Sequence, residues 1–321
     1  MNYLKFTNEE YKENINGYWA YDCAVRARNV FYFLLLEDIP DAVNGNRRMI
    51  NYFPEDDPGD RVGTMGLTGF AGPKLAASQN PKNQAVVVAR DCTVCALGGG
   101  DGGMESPILT GDPPTKPLWS GCFNLATIDG YIYAVGPARS VCRREGPNNW
   151  ASIVDRNTMP KPQAIDNFVQ GGFYAIDGFN AKDIYCVGGA GDAWRYDGKR
   201  WYPCAVPTNM LFESVCCAGD GFVYIGMQSG SVMRGREDQW KLIHKDEMTL
   251  PFKDMVWFQG KVWCTSDYGL WVIEDGKLTE AAVPPEVKAC SGNLAVGDGV
   301  MLLAGMYGAT VHDGTAWNRL W

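Results

Sequence analysis

Side chains able to do chemistry are few in this sequence and poorly grouped. It has two histidines, His244 and His312, and neither stands in a motif that supplies a nucleophile to activate. A surface or turn position is the simpler account of both. Cys92 and Cys95 form a C-x-x-C, half of a zinc or redox arrangement. No second pair stands at ligand spacing, and residues three apart on a strand point to opposite faces. The adjacent Cys216 and Cys217 are split in the same way. GGGDGG at 98–103 resembles a phosphate-cradling loop only in its glycines; it lacks the Lys-Ser/Thr and the helix N-terminus that would hold an anion. Asp155, Asp166, Asp192, Asp246 and Glu247 would serve glycoside hydrolysis only if the fold set two of them at the right separation, and solvated acids are the plainer reading. Ser266-Asp267-Tyr268-Gly269 is a fragment of a sialidase-type Asp box without the rest of the pattern. The expectation is no catalytic set, no metal and no cofactor: a binding protein rather than an enzyme.

Composition narrows the class of partner. The 321 residues carry 29 basic and 37 acidic side chains, a net charge of −8. Such a surface disfavours nucleic acid and suits a cationic partner or simple solubility. The N-terminus MNYLKFTNEEYKEN has no basic region leading into an apolar one, and the longest apolar run, Val30 to Leu36, is too short to cross a bilayer as a helix. A cytoplasmic chain with no membrane contact is expected. Eleven cysteines, several inside apolar strand patterns such as IYCVG and KVWCTS, fit reduced, buried small hydrophobes.

The elements that position these residues repeat. IYCVGGAGDAWRYDGKRW, from Ile184 to Trp201, reads as strand, glycine-rich turn, strand, Asp-Gly turn and a tryptophan opening another strand. Second strands of successive units are expected to start at Thr93, Ile132, Ile184, Val223, Val262 and Met301, with spacings of 39, 52, 39, 39 and 39 residues. Closing tryptophans follow at Trp119, Trp150, Trp201, Trp240 and Trp317, with Leu278 in the fifth unit. A period near 40 residues with four short strands predicts an all-β fold, a β-propeller of four-stranded antiparallel blades. Strand-like segments at 18–25, 29–36, 47–53 and 61–70 add a divergent unit. We expect seven blades, with six or eight also compatible, in a single domain over 1–321: residues 1–84 a divergent blade and closure segment, and 85–321 six recognisable blades. The N-terminal segment must pack beside the last strand, at 317–321, to close the ring and remove its edges.

Turn residues predict two unlike ends. Asp129-Gly130, Asp220-Gly221, Gln259-Gly260 and Asp298-Gly299 suit tight first-to-second hairpins, and Glu145-Gly146, Asp197-Gly198, Asp275-Gly276 and Asp313-Gly314 suit third-to-fourth ones. Second-to-third loops and inter-blade links share the other end, and there the lengths vary. The link after Trp150, a hairpin at 177–183 and the excursion GGGDGGMESPILTGDPPTKP supply the extra residues. Binding is expected on such variable loops. The candidate contacts are Arg139, Asp155, Arg156, Lys161, Asp166, Asp192, Gln228, Asp246, Glu247, Tyr268 and Tyr307. Repeated aromatics such as Tyr185, Tyr224 and Trp263 read instead as inter-blade packing.

The unit at 184–201 resembles kelch and YVTN-type propeller repeats, although its period is shorter than that of kelch and it lacks the Gly-His and Trp-Asp dipeptides of WD repeats. DIYCVGGAGDAWRYDGKRW, SVCCAGDGFVYIGMQSGSVMRG, KDMVWFQGKVWCTSDYGLWVIEDGKL and HDGTAWNRL are more closely similar to cytoplasmic propeller proteins of proteobacteria encoded beside Rhs-type and other type VI secreted toxins. The resemblance covers about 120–321 and implies an immunity protein: a monomer that binds a basic toxin domain 1:1 and occludes it. A carbohydrate-active or lactonase-like propeller enzyme and a generic protein-interaction scaffold are the alternatives.

Overall fold

The computed structural model describes residues 3, 5–40, 45–162, 171–245 and 250–321. Among the described residues, twenty-eight strands form seven four-stranded antiparallel sheets, and each sheet is built from strands consecutive in sequence. Blade 1 spans residues 18–67, blade 2 74–105, blade 3 124–152, blade 4 173–203, blade 5 212–244, blade 6 254–280 and blade 7 292–319. Their first strands lie innermost and together line a central channel of 540 Å³. The ring is a seven-bladed β-propeller, as the period predicts.

Apolar residues alternate along strands that are covered on both faces, so the core is a set of layers between blades rather than one centre. Seven clusters fill the seven junctions. Tyr185, Tyr224 and Trp263 are buried in them. Trp201 packs at the blade 3–4 junction and donates its indole N–H to Ile153 O at 2.9 Å. Cys92, in the turn before the strand Val94–Gly98, faces the blade 2–3 layer and Cys95 the blade 1–2 layer, while Cys216 and Cys217 face opposite sides of blade 5, as adjacent strand residues do. All eleven thiols are free, and burial pushes Cys92 up to about 12 and Cys95 up to about 11. His312 sits between Phe258 and Trp317, with ring centroids at 5.3 and 5.0 Å. Its Nδ1 accepts from the Gly314 amide, so it is a turn histidine.

Closure follows the expected route. Blades 1 and 7 exchange no strand; instead the N-terminal segment crosses their junction. Phe6 donates its amide to Leu320 O at 2.8 Å, and its ring meets Trp321 at 5.2 Å. The helix Asn8–Asn14 that follows is started by a Thr7/Glu10 capping box. Glu10 also receives Arg61 at 2.6 Å in a pair that is almost fully buried.

Several details depart from the sequence reading. Thr93 precedes a third strand, Val94–Gly98, not a second one; blade 2 begins at Lys74, ahead of the residue-85 boundary. Its inner strand, Lys74–Ser78 (KLAAS), is short and small-sided and so lacks an apolar signature. The 39-residue step from Thr93 to Ile132 therefore joins unlike strands. Trp119 closes no strand, because the outer strand of blade 2 is Asp101–Glu105 and Trp119 lies in the next inter-blade link. Gly98, Gly99 and Gly100, all with positive φ, turn the third strand into that outer one, which puts them at the short-turn end. Glu145-Gly146 lies inside the bulged strand Ser140–Gly146, and the turn itself is Pro147-Asn148. The last strand is Trp317–Arg319, two residues shorter than expected.

Candidate functional site

The two ends of the ring differ as their connections do. At one end the hairpins are tight: Asp129-Gly130, Gln259-Gly260, Asp275-Gly276 and Asp298-Gly299 all have positive φ at both positions, as two-residue hairpins require. Carboxylates crowd this end, from Glu55, Asp56, Asp57 and Asp60 in blade 1 to the turn aspartates.

The long-loop end divides into two regions. Over blades 3 and 4, five predicted contacts are engaged within the chain. Ala138 and Arg139, both with positive φ, form the second-to-third loop of blade 3, and the Ala138 amide is tied to Gly171 O at 2.6 Å. Arg139 then makes a bidentate pair with Asp192, at 2.7 and 2.9 Å, and donates to Pro160 O at 2.9 Å. The indole of Trp194 donates to the same Asp192 carboxylate at 2.8 Å. Arg156 donates to Ala138 O at 3.0 Å; burial lowers its pKa, and nearby Arg139 lowers it further against the opposing pull of Asp112. Lys161 pairs with Asp112 at 2.7 Å and lies 4.4 Å from the Trp119 ring centroid. Asp155 accepts from the Asn157 amide and the Thr158 hydroxyl. These groups staple the long link after blade 3 to the loops beside it.

Blades 6, 7 and 1 present a different surface. Tyr268 is 80% exposed, Tyr307 68% and Met306 55%. Both tyrosines are second residues of two-residue turns, Asp267-Tyr268 between Lys261–Ser266 and Gly269–Glu274, and Met306-Tyr307 between Val300–Gly305 and Gly308–His312. A turn that short points the ring away from the blade. Leu250, in the link entering blade 6, and Ile39, in the second-to-third loop of blade 1, are exposed at the same end. Neither these two nor Met306 stands out in the sequence, because a lone apolar residue after VFYFLLLE or MLLAG reads as the continuation of a strand. The one available signal is a hydrophobe at a hairpin tip. Gln228, on blade 5, is held to the preceding link through both its amide and its side chain, by Leu211. Asp166, Asp246 and Glu247 lie outside the described residues.

In the channel, Asp22, Asp177 and Asp254 stand on the inner strands of blades 1, 4 and 6. Each accepts a backbone N–H from the next blade: Leu75 at 2.9 Å, Cys217 at 2.7 Å and Leu294 at 3.1 Å. Burial raises all three carboxyls, Asp177 and Asp254 to about 6. Burial opposes the charge of Lys74, but Asp22 and Asp254 outweigh it and raise its pKa. These acids join blades. Among the described residues no three His, Cys, Asp or Glu side chains are grouped as metal ligands, and no helix is long and apolar enough to cross a membrane.

Comparison with known proteins gives one relative by sequence and many by shape. The chain is 35% identical over 240 residues, 75% of its length and 76% of the relative's, to a protein of Pseudomonas aeruginosa named immune protein Tsi7. No protein-family model matches. The WD40 β-propeller domain of Doa1 superposes with a TM-score of 0.62 at 8% identity, over 90% of each chain. Sqt1 of Saccharomyces cerevisiae superposes with a TM-score of 0.61 at 10% identity, over 100% of this chain and 87% of its own. Likeness at such identities speaks for the fold alone.

Proposed function

The chain belongs to the family of immune protein Tsi7, and on that premise we propose that it is an immunity protein, which binds a cognate secreted toxin and blocks it without catalysis. The observation that carries the reading is the family match spanning three quarters of the chain. The architecture supports it: a rigid ring holds unlike loops at one end, and its buried ionic groups are engaged in joining blades. In this reading the protein is a monomer in the cytoplasm of the producing cell and takes one toxin domain. The net charge of −8 favours a basic toxin, since opposite net charges raise the encounter rate even when the contact surface carries only part of the charge.

The test is co-expression with the toxin domain encoded beside it. We expect growth to be restored and a 1:1 complex to elute in size-exclusion chromatography with light scattering. A chain that neither binds that domain nor protects the cell would refute the reading.

A further inference from the structure

Resting on the immunity reading, we infer that the toxin docks off-centre, on the apolar arc that runs over blades 6, 7 and 1, and that Tyr268, Met306 and Tyr307 are its anchors. Four observations converge on this arc. First, among the described residues the exposed large apolar side chains of the long-loop connections are unevenly spread: Leu250, Tyr268, Met306, Tyr307 and Ile39 lie on these three consecutive blades or the links entering them, while Leu109 lies elsewhere, in the link between blades 2 and 3. A grouped apolar surface rimmed by polar residues marks a contact site, whereas scattered single hydrophobes do not. Second, the anchors are tyrosines on two-residue turns. Their backbones are fixed by the flanking ladders, down to the pairs Ser266–Gly269 and Gly305–Gly308. Large amphipathic rings with few torsions to freeze are the side chains that dominate interface energies.

Third, the surface is not flat. A groove of 450 Å³ lies between the N-terminal helix and the tip of blade 7, with Tyr11, Ile15, Tyr18, Met306 and Tyr307 in its walls. A projecting partner side chain has somewhere to go. Fourth, the rim says which chemistry fits. Glu9, Glu13, Asp38, Asp267 and Glu286 are exposed around the arc, against exposed Lys5, Lys12 and Lys245. Lys253 is turned in, towards Asp267 and the Tyr21 ring. Arg319 is spent on the carbonyls of Glu286, Tyr307 and Trp321. The complementary surface on the toxin is an apolar patch ringed by lysine or arginine. Over blades 3 and 4 the reverse holds among the described residues: Arg139 and Lys161 are already paired with Asp192 and Asp112, and no large apolar side chain is exposed on the described parts of those loops.

The experiment measures the affinity of full-length variants for the neighbouring toxin domain by calorimetry. Tyr268→Ala and Tyr307→Ala should each weaken binding roughly tenfold or more, and the double variant further. Leu109→Ala, exposed at the same end on the opposite side, should leave affinity unchanged. Asp267→Lys should slow association, most strongly at low salt. Unchanged melting temperatures exclude misfolding as the cause. If wild type binds and the double tyrosine variant binds equally well, the arc is wrong and the immunity reading stands. If wild type does not bind that domain, the immunity reading fails, and the toxin assignment with it. A free chain that dimerises, and returns to monomer in the double variant, would make the arc a self-association surface and overturn the proposal.

Discussion

Asp192 accepts two hydrogen bonds from Arg139 and one from Trp194, and its side chain is only 13% exposed. In the sequence it is a loop acid at the variable end and reads as a contact for a basic partner; in the structure it is the fixed point of the blade 3–4 loops. Removing it leaves the Arg139 guanidinium, itself 18% exposed, beside Arg156 with no counter-charge. Asp192→Ala should therefore cost about 2 kcal/mol of stability, less than a fully buried pair because some water reaches the site. Urea denaturation reads that cost directly, and a variant as stable as wild type would show the pair to be idle. Affinity for the toxin domain should change little, since three of the carboxylate's acceptor sites and its charge are already engaged within the chain. Asp192→Arg would bring a third guanidinium to Arg139 and Arg156, so any loss of binding it caused would report damage to the loops. Tyr268 and Tyr307 are the candidate contacts whose position can be read in the sequence, because a tyrosine before glycine at a hairpin tip has no strand to belong to. The pairing of Asp192 is not legible in the same way: its partner is 53 residues away in sequence.

At the scale of the element, the glycine that ends second strands is explained by what passes over it. In blades 3, 4 and 7 the motifs IYAVG, IYCVG and MLLAG end at Gly136, Gly188 and Gly305. A Cβ at these positions would overlap the carbonyl oxygens of Gly121, Gly172 and Ser291, which lie in the links entering the same blades. Backbone lies directly on backbone there and cannot swing aside as a side chain would. Gly188→Ala should cost on the order of 3 kcal/mol, through displacement of the entering link, whereas Gly221→Ala, with open space around its Cβ, should cost less and only through its positive φ. Comparing the two melting temperatures checks this; equal losses would mean the link yields. The glycines that look most like a phosphate loop, and those of the 184–201 unit, thus serve turns and close approach. The period is legible from residue 124 onward because the apolar second strands and their terminal glycines recur. Blade 2 is not, because its inner strand offers Lys-Leu-Ala-Ala-Ser and its outer strand Asp-Gly-Gly-Met-Glu, neither with the alternation that marks a half-buried strand.

Across the whole molecule, a closed ring depends on every junction, and three of its seven junctions carry a carboxylate on one inner strand capping an amide of the next. The arrangement is open to a pH test. Burial pushes Asp177 up to about 6, against the pull of two backbone amides. It does the same for Asp254, where nearby Asp22 adds to the rise and Lys74 opposes it. In the unfolded chain both groups return to ordinary values near 4. Between those limits the folded ring keeps protons that the unfolded chain has released. The contribution of these two groups is therefore fully present below about pH 4 and is lost as pH rises through about 6. Total stability will not show this cleanly, because Glu10 and Asp313 have lowered values and act in the opposite sense. The difference between wild type and Asp177→Asn/Asp254→Asn isolates it. That difference should shift against wild type as pH rises from 4 to 7, by on the order of 1 kcal/mol per group once channel water is allowed for. Urea midpoints measured across that range decide the matter. A difference that stays constant would mean that the two acids ionise in the ring as freely as in solution.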